Sequence, residues 1–406
     1  VSFSRAKIVI RRGFKSIRFL SLPYCVTKLI KMKNLNRRQW LKLSGLTGAG
    51  TLLGGGQILG NSDSVLFNPL TSNSPHGQVR LSSNENPYGP SKRVREAMIN
   101  AFENVCRYPG MFYKELVEMI AKQFGVDSNQ ILLTAGSMEG LRITGLTYGL
   151  NGGEIVSADP VFKSLLTYAE NIGGYIHRVQ VTEDLQHDLE AMEKRITMAT
   201  KLVFVCNPNN PTGTLLPHDQ FRSFCDSISH KTIVFSDEAY FDYITEPDYP
   251  SMVSLVKEGQ NVIVSRTFSK IYGLAGIRIG YLISRPDIIE RLKKNVMAAP
   301  NVLAVFAAIE AMKDSEFYEF SLKKNAEAKA HLYETLKELN LPYHPSHTNF
   351  VFFKTGRNIE DVIRDVGNQG VKIGRPFPPL TEWCRVSTGT MEEMGKLREA
   401  MRGVFG

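Results

Sequence analysis

The sequence has few cysteines and no cluster of side chains typical of a metal site. Its five cysteines contain no CxxC pair, and its eight histidines contain no HExxH motif. We therefore expect no metal. Cys25 lies in an unusual N-terminal segment, and the other four are Cys106, Cys206, Cys225 and Cys384. These four could pair if the protein is exported, but the sequence favours buried thiols.

The chain also lacks the common glycine-rich phosphate motifs. From residue 76 onward it contains neither a GxGxxG fingerprint nor a Walker loop. The nucleotide-binding classes that use those loops are therefore disfavoured. Any phosphate must be held in another way.

Acidic residues are absent before Asp63, although twelve of the 49 Lys and Arg residues fall in the first 42 positions. The rest of the chain then has 37 basic and 40 acidic residues, a net charge of −3. The formal charge of +9 therefore belongs to a leader and not to the globular body. A body with this charge offers no electrostatic surface for nucleic acid, so we expect no nucleic-acid partner.

Residues 1–62 have the pattern of a targeting segment. The paired Arg37 and Arg38 precede an uncharged run from Leu43 to Leu59, which resembles a bacterial twin-arginine signal. This predicts export to the periplasm, with membrane contact only in transit, and Met32 as the true start. The alternatives are an uncleaved, disordered basic tail and a cytoplasmic protein.

From about residue 80, short β-branched runs alternate with helical patterns, which predicts an α/β fold with a mainly parallel sheet between helices. We expect an N-terminal arm that contributes to a small domain over 76–108, a large domain over 109–299 and a smaller α+β domain over 300–406. The predicted strands of the large sheet are Ile131–Thr134, Ile155–Ser157, Ile176–Val181, Leu202–Cys206, Ile233–Ser236, Val262–Ser265 and Ile277–Ile283.

One lysine, Lys270, stands in a short polar turn between the last two predicted strands. A lysine that forms a covalent imine must be held in place and partly dehydrated, so that its amine is neutral. The framing of Lys270 by strands and by Gly273 and Gly276 fits that requirement. It is equally compatible with an ordinary surface lysine, because the chain has many.

Three other turns follow predicted strands. The turn from Gly136 to Glu139 begins a helix and could hold a phosphate on free N–H groups. Asn210 stands in a proline-braced loop, and Asp237 ends an apolar strand, where a buried carboxylate would need a cationic partner. Taken alone, each of these turns also has a residue composition that is common in ordinary loops. Together they lie at the carboxyl ends of strands, where open α/β sheets bind ligands.

The four segments 136–140, 207–213, 236–240 and 265–281 together resemble the class I/II aminotransferases of fold type I, which use pyridoxal 5′-phosphate. Segments 81–91 and 106–110 resemble the histidinol-phosphate aminotransferase branch, and the likeness covers about residues 76–405. Phe162 and Met138 replace residues common in that family, and segment 374–379 is unlike that branch.

The resemblance implies a role for each matched residue. Lys270 would form the imine and move the proton, Asp237 would pair with the ring nitrogen, and Tyr240 and Asn210 would bind the ring hydroxyl. The remaining cofactor-binding residues would be Gly136, Ser137, Met138, Phe162, Thr267, Ser269, Arg278 and, from a second subunit, Tyr108. The substrate would contact Arg385, Asn210, Asn86, Tyr88 and Arg375.

The resemblance thus implies an aminotransferase that moves an amino group from an L-amino acid to a 2-oxo acid in a ping-pong reaction. The donor could be histidinol-phosphate-like, aromatic or other. A homodimer with shared active sites is also implied. The alternatives are a lyase or decarboxylase on the same scaffold, and a catalytically silent protein that binds the cofactor.

Overall fold

The computed structural model describes residues 78–406. The predicted signal segment, Met32 and Cys25 lie outside the described residues. Within residues 78–406, no helix combines the length and the apolar character needed to cross a membrane. The cysteines of this part are unpaired: Cys106 is exposed, and Cys206, Cys225 and Cys384 are buried.

The centre of the fold is a seven-stranded sheet, which confirms the predicted mainly parallel architecture. The strands in chain order are β2 Ile131–Thr134, β3 Glu154–Asp159, β4 Tyr175–Gln180, β5 Thr200–Cys206, β6 Ile233–Asp237, β7 Val262–Thr267 and β8 Gly280–Ile283. Their spatial order is β2-β8-β7-β6-β5-β3-β4, and only β8 runs antiparallel to its neighbours. Strands β5, β6 and β7 are almost fully buried, as expected for a sheet covered on both faces.

Four further strands of the described chain lie outside the large sheet. They are β1 Val79–Arg80, β9 Phe350–Lys354, β10 Val371–Lys372 and β11 Trp383–Ser387. Strand β1 pairs with β10 in parallel, and β9 pairs with β11 antiparallel. The β1–β10 pair joins the N-terminal arm to the C-terminal part of the chain.

Helices cover the sheet and form the rest of the fold. They are α1 Lys92–Asn100, α2 Tyr113–Phe124, α3 Ser137–Gly149, α4 Ser164–Asn171, α5 Leu189–Lys194, α6 His218–Ser229, α7 Val253–Lys257, α8 Pro286–Lys293, α9 Val302–Lys313, α10 Ser315–Glu338, α11 Ile359–Asn368 and α12 Met391–Phe405. Apolar residues at helical spacing, such as Leu116 and Ile120 of α2, point into the core and explain why these segments fold as helices.

Two elements are shorter than the sequence predicts. The pattern of apolar residues also predicts a helix from Leu185 to Thr197, whereas helix α5 spans only Leu189–Lys194, because Leu185 has a φ of 59° and Asp188 caps the helix. The strand expected from Ile277 begins at Gly280, because Arg278 has a φ of 65°, which no strand accommodates. In both cases a left-handed residue, invisible in the hydrophobic pattern, sets the boundary.

The domain boundary near residue 300 stays a prediction. Helix α9 packs its alanines and Val305 into the core of the large sheet. Helix α10 instead contributes Ala328, Leu332 and Leu336 to a separate core with β9, β11 and α12. The change in packing partner therefore falls between α9 and α10.

Candidate active site

A cavity of about 300 Å³ opens at the carboxyl ends of β5, β6 and β7. Each strand delivers polar residues there: β5 runs into the loop that carries Asn210, β6 ends at Asp237, and β7 leads to Ser269 and Lys270. The side chains that line it are, among others, Ser137, Met138, Phe162, Asn210, Asp237, Tyr240, Ser269, Lys270, Arg278 and Arg385. The fold thus gathers most of the residues that the sequence singles out.

Lys270 presents its amine to this cavity. Its Nζ donates a hydrogen bond to the carbonyl oxygen of Asn84 at 2.8 Å and lies 5.2 Å from the centre of the Tyr240 ring. Burial, followed by the nearby charge of Arg385, lowers the pKa of Lys270 to about 8, although Glu85 and Asp237 act in the opposite direction. A substantial fraction of the amine is therefore neutral and nucleophilic near pH 8.

Asp237 is a buried carboxylate with an unfilled position. It is 2% exposed, and its Oδ1 finds no hydrogen-bond partner among residues 78–406. Burial raises its pKa to about 7, against the lowering effects of the Ala239 N–H and the Lys270 charge. An unpaired buried carboxylate is costly, so this oxygen is suited to a ligand that brings an N–H or a positive charge.

Tyr240 lies at the centre of a buried set of amides. Its hydroxyl accepts hydrogen bonds from Asn84 Nδ2 at 2.9 Å and from Asn210 Nδ2 at 3.2 Å. Burial raises the pKa of Tyr240 well above its ordinary value. The phenol therefore stays protonated and can donate its own hydrogen to an acceptor in the cavity.

The first turn of α3 and Arg278 form one side of the cavity. Gly136 precedes the helix with a φ of 84° and no side-chain cap, and within residues 78–406 the N–H groups of Ser137 and Met138 are left free, whereas that of Glu139 donates to the Gly136 carbonyl. A Cβ at Gly136 would collide with the guanidinium of Arg278, so only glycine lets that cation lie over the helix start. Arg278 is fixed by bonds from Nη1 to the Ala275 carbonyl at 2.6 Å and to Ser269 Oγ at 3.4 Å. A helix N-terminus beside an arginine is a strong site for a phosphate.

Thr267 and Ser269 support the same side of the cavity. Both are buried, and the Ser269 N–H donates to Thr267 Oγ1 at 3.1 Å. This bond tightens the turn that leads from β7 to Lys270. Ser269 lines the cavity, whereas Thr267 lies one layer behind it.

Arg385 closes the side opposite β6. Its Nη1 donates to Asn210 Oδ1 at 2.7 Å and its Nη2 to the Ser82 carbonyl at 2.9 Å, while Nε has no partner in the described chain. Burial lowers the pKa of Arg385 to about 10, so it remains a cation at neutral pH. A buried guanidinium with an unpaired donor is suited to a carboxylate.

The comparisons with known proteins agree with this geometry. The family model described as aminotransferase class I and II matches residues 76–401. A histidinol-phosphate aminotransferase of Moorella thermoacetica is 39% identical over 333 residues, covering 80% of this chain and 85% of that protein. The solved histidinol-phosphate aminotransferase of Sinorhizobium meliloti, in complex with pyridoxal 5′-phosphate, superposes with a TM-score of 0.74 at 26% identity, covering 80% of this chain and 91% of that one.

The chain belongs to the class I and II aminotransferases. It is a transaminase that uses pyridoxal 5′-phosphate, as the sequence predicts. The cavity of this aminotransferase fits the cofactor on three independent observations. These are the unpaired oxygen of Asp237, the cradle that Gly136 leaves open beneath Arg278, and the partly neutral amine of Lys270.

Six predicted site residues do not line this cavity: Gly136 and Thr267 adjoin residues that do, and the other four lie elsewhere. Asn86 uses its Nδ2 on the Ile271 carbonyl and Ser321 Oγ, and Tyr88 packs edge-on against Phe320 at 5.0 Å. Arg375 lines a separate surface cleft and lies over the Phe377 ring at 4.5 Å. Tyr108 is 94% exposed. Within one chain, these four side chains do not reach the cofactor cavity, and their predicted roles stay predictions.

Sequence reasoning missed Asn84, which is 2% exposed and contacts both Lys270 and Tyr240. It also missed Cys206, whose Sγ lies 4.0 Å from Asp237 Oδ2 on the cavity floor. A signal for Asn84 was present, since it stands in the same polar loop as Asn86. Nothing in the sequence indicated that the chain would turn at Asn84, where φ is 52°, and direct this asparagine inward.

Proposed function

We propose that the chain transfers the amino group of a donor related to histidinol phosphate to a 2-oxo acid. The observation that carries this proposal is that one cavity contains both the partly neutral amine of Lys270 and a buried carboxylate oxygen, Asp237 Oδ1, that has no partner in the described residues. The 39% identity to a histidinol-phosphate aminotransferase supports the choice of donor.

When bound, the cofactor supplies an aldehyde for the amines and an electron-withdrawing ring. Lys270 would hold the cofactor covalently through its aldehyde, and its amine would move the proton at the donor's amine-bearing carbon. Asp237 would hold a proton on the ring nitrogen through its free Oδ1. Asn210 and the Tyr240 hydroxyl would bind the ring hydroxyl, and Phe162 would lie against the ring.

The phosphate of the cofactor is assigned to the cradle at the start of α3. Ser137 and Met138 supply backbone N–H groups, Gly136 leaves the space beneath Arg278, and Ser269 and Arg278 supply side-chain donors. Thr267 orients this set through its bond to the Ser269 N–H. The donors come from three parts of the chain, so the phosphate also fastens α3 to the Lys270 turn.

Arg385 binds the carboxylate of the 2-oxo acid. Arg375 is proposed to bind the phosphate of the donor. It lines a cleft of about 300 Å³ with Arg142 and Lys163, and this cleft shares Phe162 with the cofactor cavity. Since Arg375 also contributes to lowering the pKa of Arg385, the two cations act on one another and a shared anion would relieve that repulsion.

A panel of amino donors with 2-oxoglutarate tests the proposal. Histidinol phosphate should give the highest kcat/KM, followed by aromatic amino acids, and Arg375→Ala should reduce kcat/KM only for the phosphorylated donor. Equal rates for neutral aliphatic donors would contradict the choice of donor. Release of carbon dioxide or ammonia without a keto product would instead support a decarboxylase or lyase.

We further propose a homodimer in which Tyr108 reaches the phosphate of the other subunit. Tyr108 and the neighbouring Ile99, Phe102, Val105 and Met111 are all more than half exposed, an apolar surface that a second copy would cover. Sedimentation should give twice the chain mass, and Tyr108→Ala should weaken cofactor binding without changing that mass. A monomer with full activity would contradict the proposal.

Export through the twin-arginine route remains a proposal that rests on residues 36–63. It fits a cofactor-binding enzyme, because that route carries folded proteins. Fractionation of cells that express the full chain and an Arg37→Lys/Arg38→Lys variant tests it. Unchanged cytoplasmic location of both proteins would contradict it.

A further inference from the structure

A second buried acid–base pair lies directly behind the cavity. Glu238 follows Asp237 in the chain, and Arg266 precedes Thr267. Arg266 Nε donates to Glu238 Oε2 at 2.9 Å, and the two side chains are 6% and 3% exposed. A buried ion pair of this kind is weak evidence for stability, because desolvation offsets most of the attraction. Each member of the pair is adjacent in sequence to a predicted cofactor-binding residue, which points to another role.

The carboxylate of Glu238 is completely used. Besides Arg266, it accepts hydrogen bonds from Ser251 Oγ at 2.7 Å, the Met252 N–H at 2.9 Å and Ser236 Oγ at 3.3 Å. It therefore ties β6 to the segment that begins α7 and to β7.

Arg266 is held on its other faces as well. Its guanidinium lies 3.9 Å from the centre of the Phe241 ring, and Nη1 lies 3.8 Å from Asp242 Oδ1. Asp242 in turn accepts a hydrogen bond from the Tyr318 hydroxyl of α10 at 3.2 Å. The network thus runs from the end of β6, through β7, to the long helix α10.

Neither member of the pair lines the cavity. Successive side chains of a strand point to opposite faces, so Arg266 lies on the face opposite to Ser265 and Thr267. The two strands are locked at this level, because the Glu238 N–H donates to the Ser265 carbonyl at 3.0 Å and Asp237 pairs with Ser265. The pair therefore acts on the cavity only through its neighbours in sequence.

We propose that Glu238 and Arg266, with Asp242, are positioning residues that fix Asp237 relative to the turn carrying Thr267, Ser269 and Lys270. The inference rests on the roles proposed above for Asp237 and Lys270. In this arrangement the carboxylate that faces the ring and the lysine that bonds to the cofactor keep a constant separation. The network acts before any cofactor enters.

The decisive variants are Glu238→Gln and the double variant Glu238→Gln/Arg266→Met. The single variant removes the carboxylate that pairs with Arg266 Nε and leaves only Asp242, at 3.8 Å, to balance the guanidinium, so the melting temperature of the apoprotein should fall by about 5 °C or more. The double variant removes both charges and should regain most of that loss. Its dissociation constant for pyridoxal 5′-phosphate should nevertheless stay about tenfold weaker, because the site is no longer held.

The pH titration of the bound cofactor's absorbance gives a second readout. Its midpoint should differ from that of the wild type in the double variant, since the position of Asp237 relative to Lys270 changes. A double variant with wild-type affinity and midpoint would overturn the proposal and leave the pair a purely structural feature. Glu258→Gln, which breaks the exposed Arg222–Glu258 pair, is the matched control and should change neither quantity.

If the Glu238 variants do not fold, Asp242→Asn decides the question, since it loosens Arg266 from the α10 side only. A weaker cofactor affinity at unchanged melting temperature supports the proposal, and unchanged affinity overturns it. Failure of the proposed function would give a different result. The absorbance of bound cofactor would then be the same in the wild type and in a Lys270→Ala variant.

Discussion

The molecule buries acidic and basic side chains in two adjacent layers, one at the cavity and one behind it. The layers differ in how completely the hydrogen-bonding atoms of those side chains are paired. In the rear layer every oxygen of Glu238 accepts a hydrogen bond, and Arg266 lies against an aromatic ring. In the cavity Asp237 Oδ1 and Arg385 Nε have no partner in residues 78–406. Burial is common to both layers, so it does not identify the site. Unfilled hydrogen-bonding capacity on Asp, Glu, Lys and Arg side chains identifies it, because Asp237 Oδ1 and Arg385 Nε are the buried atoms of these residue types without a partner in residues 78–406.

The largest effect should come from the base of the cavity layer. Lys270→Ala should lower kcat by about 10⁴-fold or more, because it removes both the covalent anchor and the proton carrier. Single-turnover formation of the keto product measures this. Lys329→Ala is the control, since burial lowers the pKa of Lys329 to about 8 as well and its Nζ also donates to a carbonyl, that of Ser346, but Lys329 does not line the cavity. Equal losses in both variants would break the comparison.

The acid of the cavity layer should have the next largest effect. Asp237→Asn keeps the shape but cannot hold a proton on the ring nitrogen, so kcat should fall by about 10²- to 10³-fold. Steady-state kinetics with saturating cofactor measure it. A loss below tenfold would show that the unpaired oxygen has no electrostatic role.

Arg385 should affect binding more than turnover. Arg385→Lys keeps the charge but loses the planar pair of donors, so KM for 2-oxoglutarate should rise by about 10- to 100-fold. The kcat should change less, because the carboxylate is bound equally before and during the reaction. A reversed pattern, with kcat lost and KM unchanged, would place Arg385 among the groups that act on the reacting atoms.

The smallest expected effect is on the pH dependence of apoprotein stability. Since the folded pKa of Asp237 is raised to about 7, its contribution to stability falls as pH rises from about 4 to 7. The folded pKa of Lys270 is lowered to about 8, so its contribution rises from about pH 8 toward 10.5.

Together these two groups place a minimum in the stability of the apoprotein between about pH 7 and 8. Denaturant unfolding of apoprotein at several pH values measures it. Asp237→Asn should lack the decline between about pH 4 and 7. Saturation with cofactor should remove the minimum, and an identical profile for wild type and variant would contradict the assignment.

Much of this was predictable from the sequence because strand ends are visible in it. Val262–Ser265 and Ile233–Ser236 are continuous apolar runs that stop at polar residues, which marks both the strands and the edge where Asp237 and Lys270 meet. The parallel order also follows from alternating strands and helices. The likeness to the family then supplied roles that spacing alone left open.

What escaped prediction depends on contacts between distant residues. Asn84 reaches Tyr240 across 156 residues, and no local pattern encodes that pairing. The opposite error occurred at Asn86, only two positions away, whose amide binds the Ile271 carbonyl and Ser321. A turn of one or two residues decides which asparagine faces the cavity. The homodimer and the leader stay predictions.

The bonds of Arg385 also bear on how the enzyme is made. Arg385 joins Asn210, which precedes it by 175 residues, and Ser82, which precedes it by 303. A nascent chain on the ribosome can therefore assemble the sheet and its lysine well before the wall of the cavity exists. The arginine proposed to bind the substrate carboxylate is therefore translated after the cofactor-binding residues. Chains released before Arg385 would contain those cofactor-binding residues but would lack the side chain that selects the substrate.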